Sequence, residues 1–175
     1  MELRRRLLKA CYASGPKQYT ITVYPSSLDD VNSTYESYTN LNNAFDSGSA
    51  SNYASFYWNK GASAETFVYL NFDLSAIPDN ATIIEVSGQE RVNTTGYQSS
   101  RWLTRGVFLT SGTTQKSNSQ WTSSLTAFND AGTWTVAELH NAKLCYYIKR
   151  RDNSYNDTSF YMYVYGGSIT VTYEV

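Results

Sequence analysis

"FVYLNFDLSAIPDNATIIEV", residues 67–86, is the stretch whose reading decides the fold. Up to Phe72 it alternates, with Val68, Leu70 and Phe72 on one face and Phe67, Tyr69 and Asn71 on the other. A period of two is strand geometry, and the first set is the one expected to be buried. Asp73 ends the run with a short side chain that can accept backbone hydrogen bonds as the chain turns, and Pro78 with Asp79-Asn80 fixes the turn that follows. From Ala81 the chain resumes as a strand to Val92, with Ile84, Val86 and Val92 expected inward and Gly88 expected to mark a bulge. Leu74 and Ile77 lie between the two strands, where they can plug the open end of a sandwich. The stretch therefore reads as a corner at which the chain passes from one sheet to another.

Working outward, the same alternation recurs. Residues 19–24 place Tyr19, Ile21 and Val23 on one face before Pro25 ends the strand. Further strands are expected over residues 53–58, 66–72, 101–109, 120–128, 143–149, 160–165 and 168–173, with Gly166-Gly167 as a tight connection or bulge before the last. One short helical turn interrupts them, because Thr135-Val-Ala-Glu138 is a capping box followed by the apolar Leu139 and Ala142. Residues 26–51 are dominated by Ser, Asn, Asp and Tyr, and a loop of that length is expected to be functional or to cover one end of a sheet. With 15% aromatic residues, only 17% charged, and Tyr 16 against Phe 7, the composition suits half-exposed strands. The expected architecture is all-β: a two-sheet, jelly-roll-like β-sandwich over residues 18–175, preceded by a short helical or extended arm over residues 1–17.

A formal net charge of -1 and a pI near 5.8 argue against a domain built to cover nucleic acid. The local exception is the arm, where Leu3, Arg4, Arg5, Arg6, Leu7, Leu8 and Lys9 combine cations with apolar residues, and Leu3, Leu7 and Cys11 share a face at helical spacing. A helix this short is marginal alone, so ordering on a partner surface is the preferred reading, with a disordered tail as the alternative. Leu8-Lys9-Ala10-Cys11 has the look of a lipoprotein cleavage box, but the apolar run before it is too short for a signal peptide. Attraction to a membrane or to nucleic acid through the cations carries affinity with little specificity. No transmembrane run is seen, and the Asn-x-Ser/Thr triplets at Asn32, Asn80, Asn93 and Asn156 carry little weight without a secretory signal. Cys11 and Cys145 do not form a disulfide framework, and Cys145 is expected to be a small core hydrophobe.

Catalysis finds little support. His140 is the only histidine and is expected to face solvent, with no nucleophile elbow or matched cysteine to serve it. Asp29, Asp30, Asp73, Glu90, Asp130, Asp152 and Asp157 offer many carboxylate pairings and no reason to choose one. Residues 26–30 and 152–157 hold hard oxygen ligands without the spacing of an EF-hand loop, so no metal and no cofactor is expected. Binding through rings is the better-supported chemistry, since Tyr and Trp stack on sugars or fill protein interfaces at low entropy cost. Tyr35, Tyr38, Tyr97, Trp102 and Trp121 are the leading contact candidates, with Tyr53, Tyr155 and Tyr165 behind them. Tyr161, Tyr163 and Tyr165 sit at alternating strand positions, where rings more often pack across strands or against subunits.

The corner also resembles the FDLSxIPxxAxI corner of DNRLRE-type jelly-roll modules, found in cell-surface and polysaccharide-handling proteins. It is similar, too, to a corner in small structural proteins of bacteriophages infecting gut and other Gram-positive bacteria. Those proteins resemble this chain at a short basic start like Leu3-Arg-Arg-Arg-Leu-Leu8, at the Gly132-Thr-Trp-Thr-x-x-Glu-Leu139 turn, and at a Tyr/Gly-rich end closing in Ile169-Thr-Val-Thr-Tyr173. Gly88-Gln-Glu90 departs from the apolar alternation of the polysaccharide-handling modules. The resemblance implies a non-enzymatic virion component, an appendage or decoration of tail, baseplate or head, made in the bacterial host cytoplasm. Its arm would dock on other virion proteins, in multiple or oligomeric copies, while the domain faces outward. The alternative is a carbohydrate-binding module or adhesin for host surface glycans, and neither reading involves specific nucleic acid or a membrane.

Overall fold

A computed structural model describes residues 15–35, 37–58, 65–96, 103–150 and 160–175. The elements in chain order are β1 (Gln18–Val23), β2 (Pro25–Leu28), β3 (Ser37–Thr39), a 3₁₀ turn (Leu41–Phe45), β4 (Ala54–Trp58), β5 (Glu65–Phe72), β6 (Thr82–Gly96), β7 (Leu103–Ser111), β8 (Thr114–Gln115), β9 (Thr126–Ala127), α1 (Val136–Leu139), β10 (Ala142–Arg150) and β11 (Phe160–Glu174). They form the expected two-sheet β-sandwich. The first sheet runs β3-β4-β11-β6-β9, with β1 also on β11, and the second runs β2-β5-β10-β7-β8. β11 is long enough to take two partners on one edge: β4 pairs with Phe160 to Val164, and β1 with Ile169 to Glu174. All of these pairings are antiparallel.

The core follows from alternation. Val68 and Leu70 of β5 and Val107 and Leu109 of β7 meet Phe56, Val92, Met162, Val164, Ile169 and Val171 of the first sheet, all fully buried. The stretch after β5 crosses from the second sheet to the first, as its sequence predicts. Asp73 Oδ1 accepts from the Ser75 N–H at 3.2 Å and the Ser75 hydroxyl at 2.6 Å. Those bonds hold the Asp73 carboxyl below its ordinary range. Leu74 and Ile77 are each 1% exposed and close the end of the sandwich. The capping box also forms, with the Thr135 hydroxyl accepting from the Glu138 N–H and Glu138 accepting from the Thr135 N–H at 2.8 Å. The turn it starts buries Leu139.

Several expectations change. Ile84 faces solvent and Ile83 packs on the core, because a register shift opposite Thr172 and Tyr173 inserts one extra β6 residue and flips the alternation. Gly88 marks a close approach rather than a bulge: its pairing with Ile169 is regular, and a Cβ there would lie 2.9 Å from the Ser168 carbonyl and 3.2 Å from Leu109. A second bulge lies at Tyr165, between the pairs Val164–Val92 and Gly166–Arg91, beside the Gly166-Gly167 expected as a connection or bulge, and the two expected C-terminal strands are one bent strand. Gly166 there has φ 94°, and a Cβ would lie 2.2 Å from the Asp46 carbonyl. Residues 26–51 contain β2, β3 and the 3₁₀ turn rather than an open loop, and the Gly167 N–H donates to the Asp46 carbonyl at 2.9 Å. Residues 120–128 supply only the two-residue β9 and an isolated bridge between Gln120 and Val107.

Candidate functional site

The most distinctive surface is the outer side of the first sheet where β3, β4 and β11 meet. Ala54, Phe56, Met162 and Val164 are fully buried, so alternation turns Tyr57, Tyr161 and Tyr163 outward. Register then sets them side by side: Tyr161 lies opposite Tyr57, Tyr163 opposite Ser55, and Ser37 opposite Tyr57. The rings of Tyr57 and Tyr161 are 4.9 Å apart, Tyr161 and Tyr163 6.4 Å, and Tyr163 and Tyr53 4.3 Å. Tyr53 also meets the edge of Tyr165 at 5.4 Å, and the Arg91 guanidinium closes that end, 4.1 Å from the Tyr165 ring centre. The row is not sealed from water, since Tyr161 is 43% exposed and Tyr53 36%.

Beside the row, Ser37, Tyr38, Thr39, Ser55, Tyr57 and Tyr161 line a groove of about 310 Å³, the lower end of the size range of small-ligand sites. Its lining holds no charged side chain. Rings beside short hydroxyls can stack on an apolar face while exchanging hydrogen bonds with neutral polar groups, which is the combination a sugar presents.

The sequence candidates fall in different places. Leu3, Arg4, Arg5, Arg6, Leu7, Leu8 and Lys9 lie outside the described residues, as do Tyr97, Trp102 and Tyr155. Tyr38 lines the groove and is 42% exposed. Tyr35 is half-buried, edge-on to Phe56 at 5.4 Å and to Tyr38 at 5.3 Å, and its hydroxyl donates to Asp30. Burial, with the Asp30 carboxylate second, pushes its hydroxyl well above the usual phenol range. Trp121 packs on the core with the Arg105 guanidinium 5.2 Å from its ring centre, so it is not an open platform. Tyr161 and Tyr163 pack across strands as expected, against Tyr57 and Tyr53, and Tyr57 is the ring of the row that the sequence did not single out. The signal was there in alternation, because outward tyrosines necessarily flank the inward Phe56, Met162 and Val164.

Other clusters read as structural. Lys143 donates to Asp29 at the mouth of a polar hollow of about 490 Å³, lined also by Asn32, Asn71, His140 and Asn141. Asp29 accepts further from the Val31 N–H at 3.1 Å, the Asn32 N–H at 3.2 Å and the Asn32 side chain at 2.7 Å. Burial pulls the Asp29 carboxyl up, but the bonds from Lys143 and Asn32 outweigh it and leave it below the ordinary value. The pair thus ties the end of β2 to β10. His140 is surface-exposed as expected, yet its Nε2 lies 3.0 Å from the Ile77 carbonyl, so it braces the corner. Cys145 is buried, but on the outer side of the second sheet beneath Tyr69 and Phe108, where burial pushes its thiol up to about 12. Among the described residues no cluster of His, Cys, Asp and Glu is placed to hold a metal ion, and no helix is long and apolar enough to cross a membrane.

The fold and its tyrosine face define an all-β sandwich domain with an aromatic outer surface. Comparison with protein-family models, curated proteins and solved structures found no match to this chain.

Proposed function

We propose that this protein is a non-enzymatic component of a bacteriophage virion that docks through residues 1–14 and holds its sandwich outward, with the tyrosine face as the contact surface for neutral glycans of the host envelope. The observation that carries this reading is the separation of the two ends of β11. Lys17, where the chain leaves the arm, exchanges backbone hydrogen bonds at 3.1 Å with Val175, beside the pair Gln18–Glu174. Tyr161 lies at the other end of the same strand. At about 3.3 Å per residue the run from Tyr161 to Glu174 spans on the order of 40 Å, so a particle held at the arm would leave the tyrosine groove clear. The resemblance of the corner, the basic start and the Tyr/Gly-rich end to phage structural proteins supports the virion setting.

Two measurements test it. Purified virions carrying full-length protein are compared with virions assembled with residues 15–175 alone: full-length protein is expected at stoichiometric level and the shortened one is expected to be lost. Equal recovery of both would remove the docking role. On an array of host-wall polysaccharides, full-length protein is expected to bind and Tyr57→Ala/Tyr161→Ala to lose at least tenfold in affinity with its fold intact, as removal of a stacking platform requires. Binding that survives the double substitution would remove the tyrosine face from the reading.

A further inference from the structure

Residues 117–128 form a strap across the edge where β6 and β7 lie in different sheets. At one end Gln120 exchanges backbone hydrogen bonds with Val107 of β7. Two residues on, the Thr122 carbonyl accepts from the Val92 N–H of β6 at 3.0 Å. Thr126 and Ala127 then pair with Glu90 and Gln89, and the Phe128 N–H donates to the Gly88 carbonyl at 2.9 Å. The strap therefore fastens to both sheets, with Phe128 buried in the core.

Glu90 sits beneath it. It shares the inward side of β6 with Gly88 and Val92, is 0% exposed, and neither carboxyl oxygen has a hydrogen-bond partner. A carboxylate so enclosed is heavily penalised unless a cation or donors meet it. The groups facing it supply no cation and only weak donors. From β10 comes buried Tyr146, whose hydroxyl donates to the Gly166 carbonyl at 3.2 Å. From β11 comes Gly167, paired with Glu90, whose Cβ position is 3.2 Å from the Glu90 Cα. From the strap come Gln120 and Thr122, close enough to act on the carboxyl but without a closed hydrogen bond to it. The nearby cations are engaged elsewhere: Arg105 of β7 with the Thr94 hydroxyl at 3.3 Å and the Trp121 ring, and Arg91 with the Ser123 carbonyl at 3.0 Å and the Ala50 carbonyl at 3.1 Å.

We propose that Glu90 makes the strap a proton-sensitive latch: the neutral acid lets residues 117–128 seat on the sandwich edge, and its ionisation releases them, admitting water to the carboxylate and uncovering the β6–β7 edge. The proton stays on Glu90 while the strap is closed and passes to solvent when it opens. Burial pushes the Glu90 carboxyl up to about 8, against weaker downward pulls from Gln120 and Thr122. The closed form therefore holds a proton that the open, hydrated form sheds. Closure is strongest below the ordinary carboxylate range, weakens as pH rises towards about 8, and is level above that.

Hydrogen exchange on the full-length protein tests this at pH 5.5, 7.0 and 8.5, with rates corrected for the intrinsic pH dependence of exchange. The opening constant at the amides of Val92, Val107 and Phe128 is expected to rise by up to tenfold per pH unit towards about 8, while amides of β10 are unchanged. Glu90→Gln, which cannot ionise, is expected to flatten that rise. A flat profile in the unaltered protein overturns the latch, and so does an unchanged profile in Glu90→Gln. Should Glu90→Gln fail to fold, Glu90→Met gives the same reading, and the profile of the unaltered protein still decides.

Discussion

Replacing Leu74 by Ala tests the corner on which the fold turns. Leu74 is 1% exposed and packs in the main core, next to Ile77 at the sandwich end. The substitution removes the equivalent of three buried methylene groups, a transfer loss of about 2.4 kcal/mol at about 0.8 kcal/mol each. A cavity term adds to this wherever the site cannot collapse, and here the backbone is pinned by Ile77 N–H to Leu74 carbonyl and Ala81 N–H to Pro78 carbonyl bonds, each 3.0 Å. The expected total is about 3–4 kcal/mol, inside the range of buried Leu→Ala changes. For a domain of this size each kcal/mol lowers Tm by about 2–4 °C, so a fall of roughly 6–16 °C is expected by calorimetry or circular dichroism. Ser75→Ala, at an exposed position in the same turn, loses only the hydroxyl contact to Asp73 and should cost about 1 kcal/mol or less. A Leu74→Ala loss no larger than that of Ser75→Ala would refute the plug.

Two further outcomes follow from close packing and from charge. Gly167→Ala puts a Cβ 2.3 Å from the Gln89 carbonyl and 2.9 Å from Leu144, and is expected to cost about 2–3 kcal/mol in urea unfolding; a neutral change would mean that β6 and β11 do not approach this closely. Because Asp29 titrates below its ordinary value, its contribution is present above the unfolded-state carboxylate range and is lost as pH falls through the folded value. Asp29→Asn should therefore cost about 2 kcal/mol at pH 7, where it strands the largely buried Lys143, and the deficit should fade as unaltered protein is acidified below about pH 4. A deficit constant with pH would contradict the ion pair.

The corner was legible because each of its residues acts locally, with Asp73 accepting, Pro78 turning, and Leu74 and Ile77 filling. The sandwich was legible for the same reason, since alternation over β5 and β10 needs no knowledge of partners. Register was not. Ile83 and Ile84 are equivalent as letters, and which one faces inward depends on a shift set by β11, more than eighty residues away along the chain. Residues 26–51 looked like loop because β2 and β3 are short, polar edge strands, held by pairing with β5 and β4 rather than by apolar pattern. The tyrosine row needed that same pairing, because Tyr57 and Tyr161 meet only once β4 lies along β11. Glu90 was visible as a break in apolar alternation, but its enclosure depends on the strap folding over β6.

The proposed division of labour along β11 is tested most directly by tyrosine footprinting of the protein on assembled particles and free in solution. Tyr53, Tyr57, Tyr161 and Tyr163 are expected to modify at the same rate in both states, because the proposed docking through residues 1–14 would leave them outward. Protection of these rings on the particle, several-fold or more, would show that the tyrosine face is the buried assembly surface and would contradict its display.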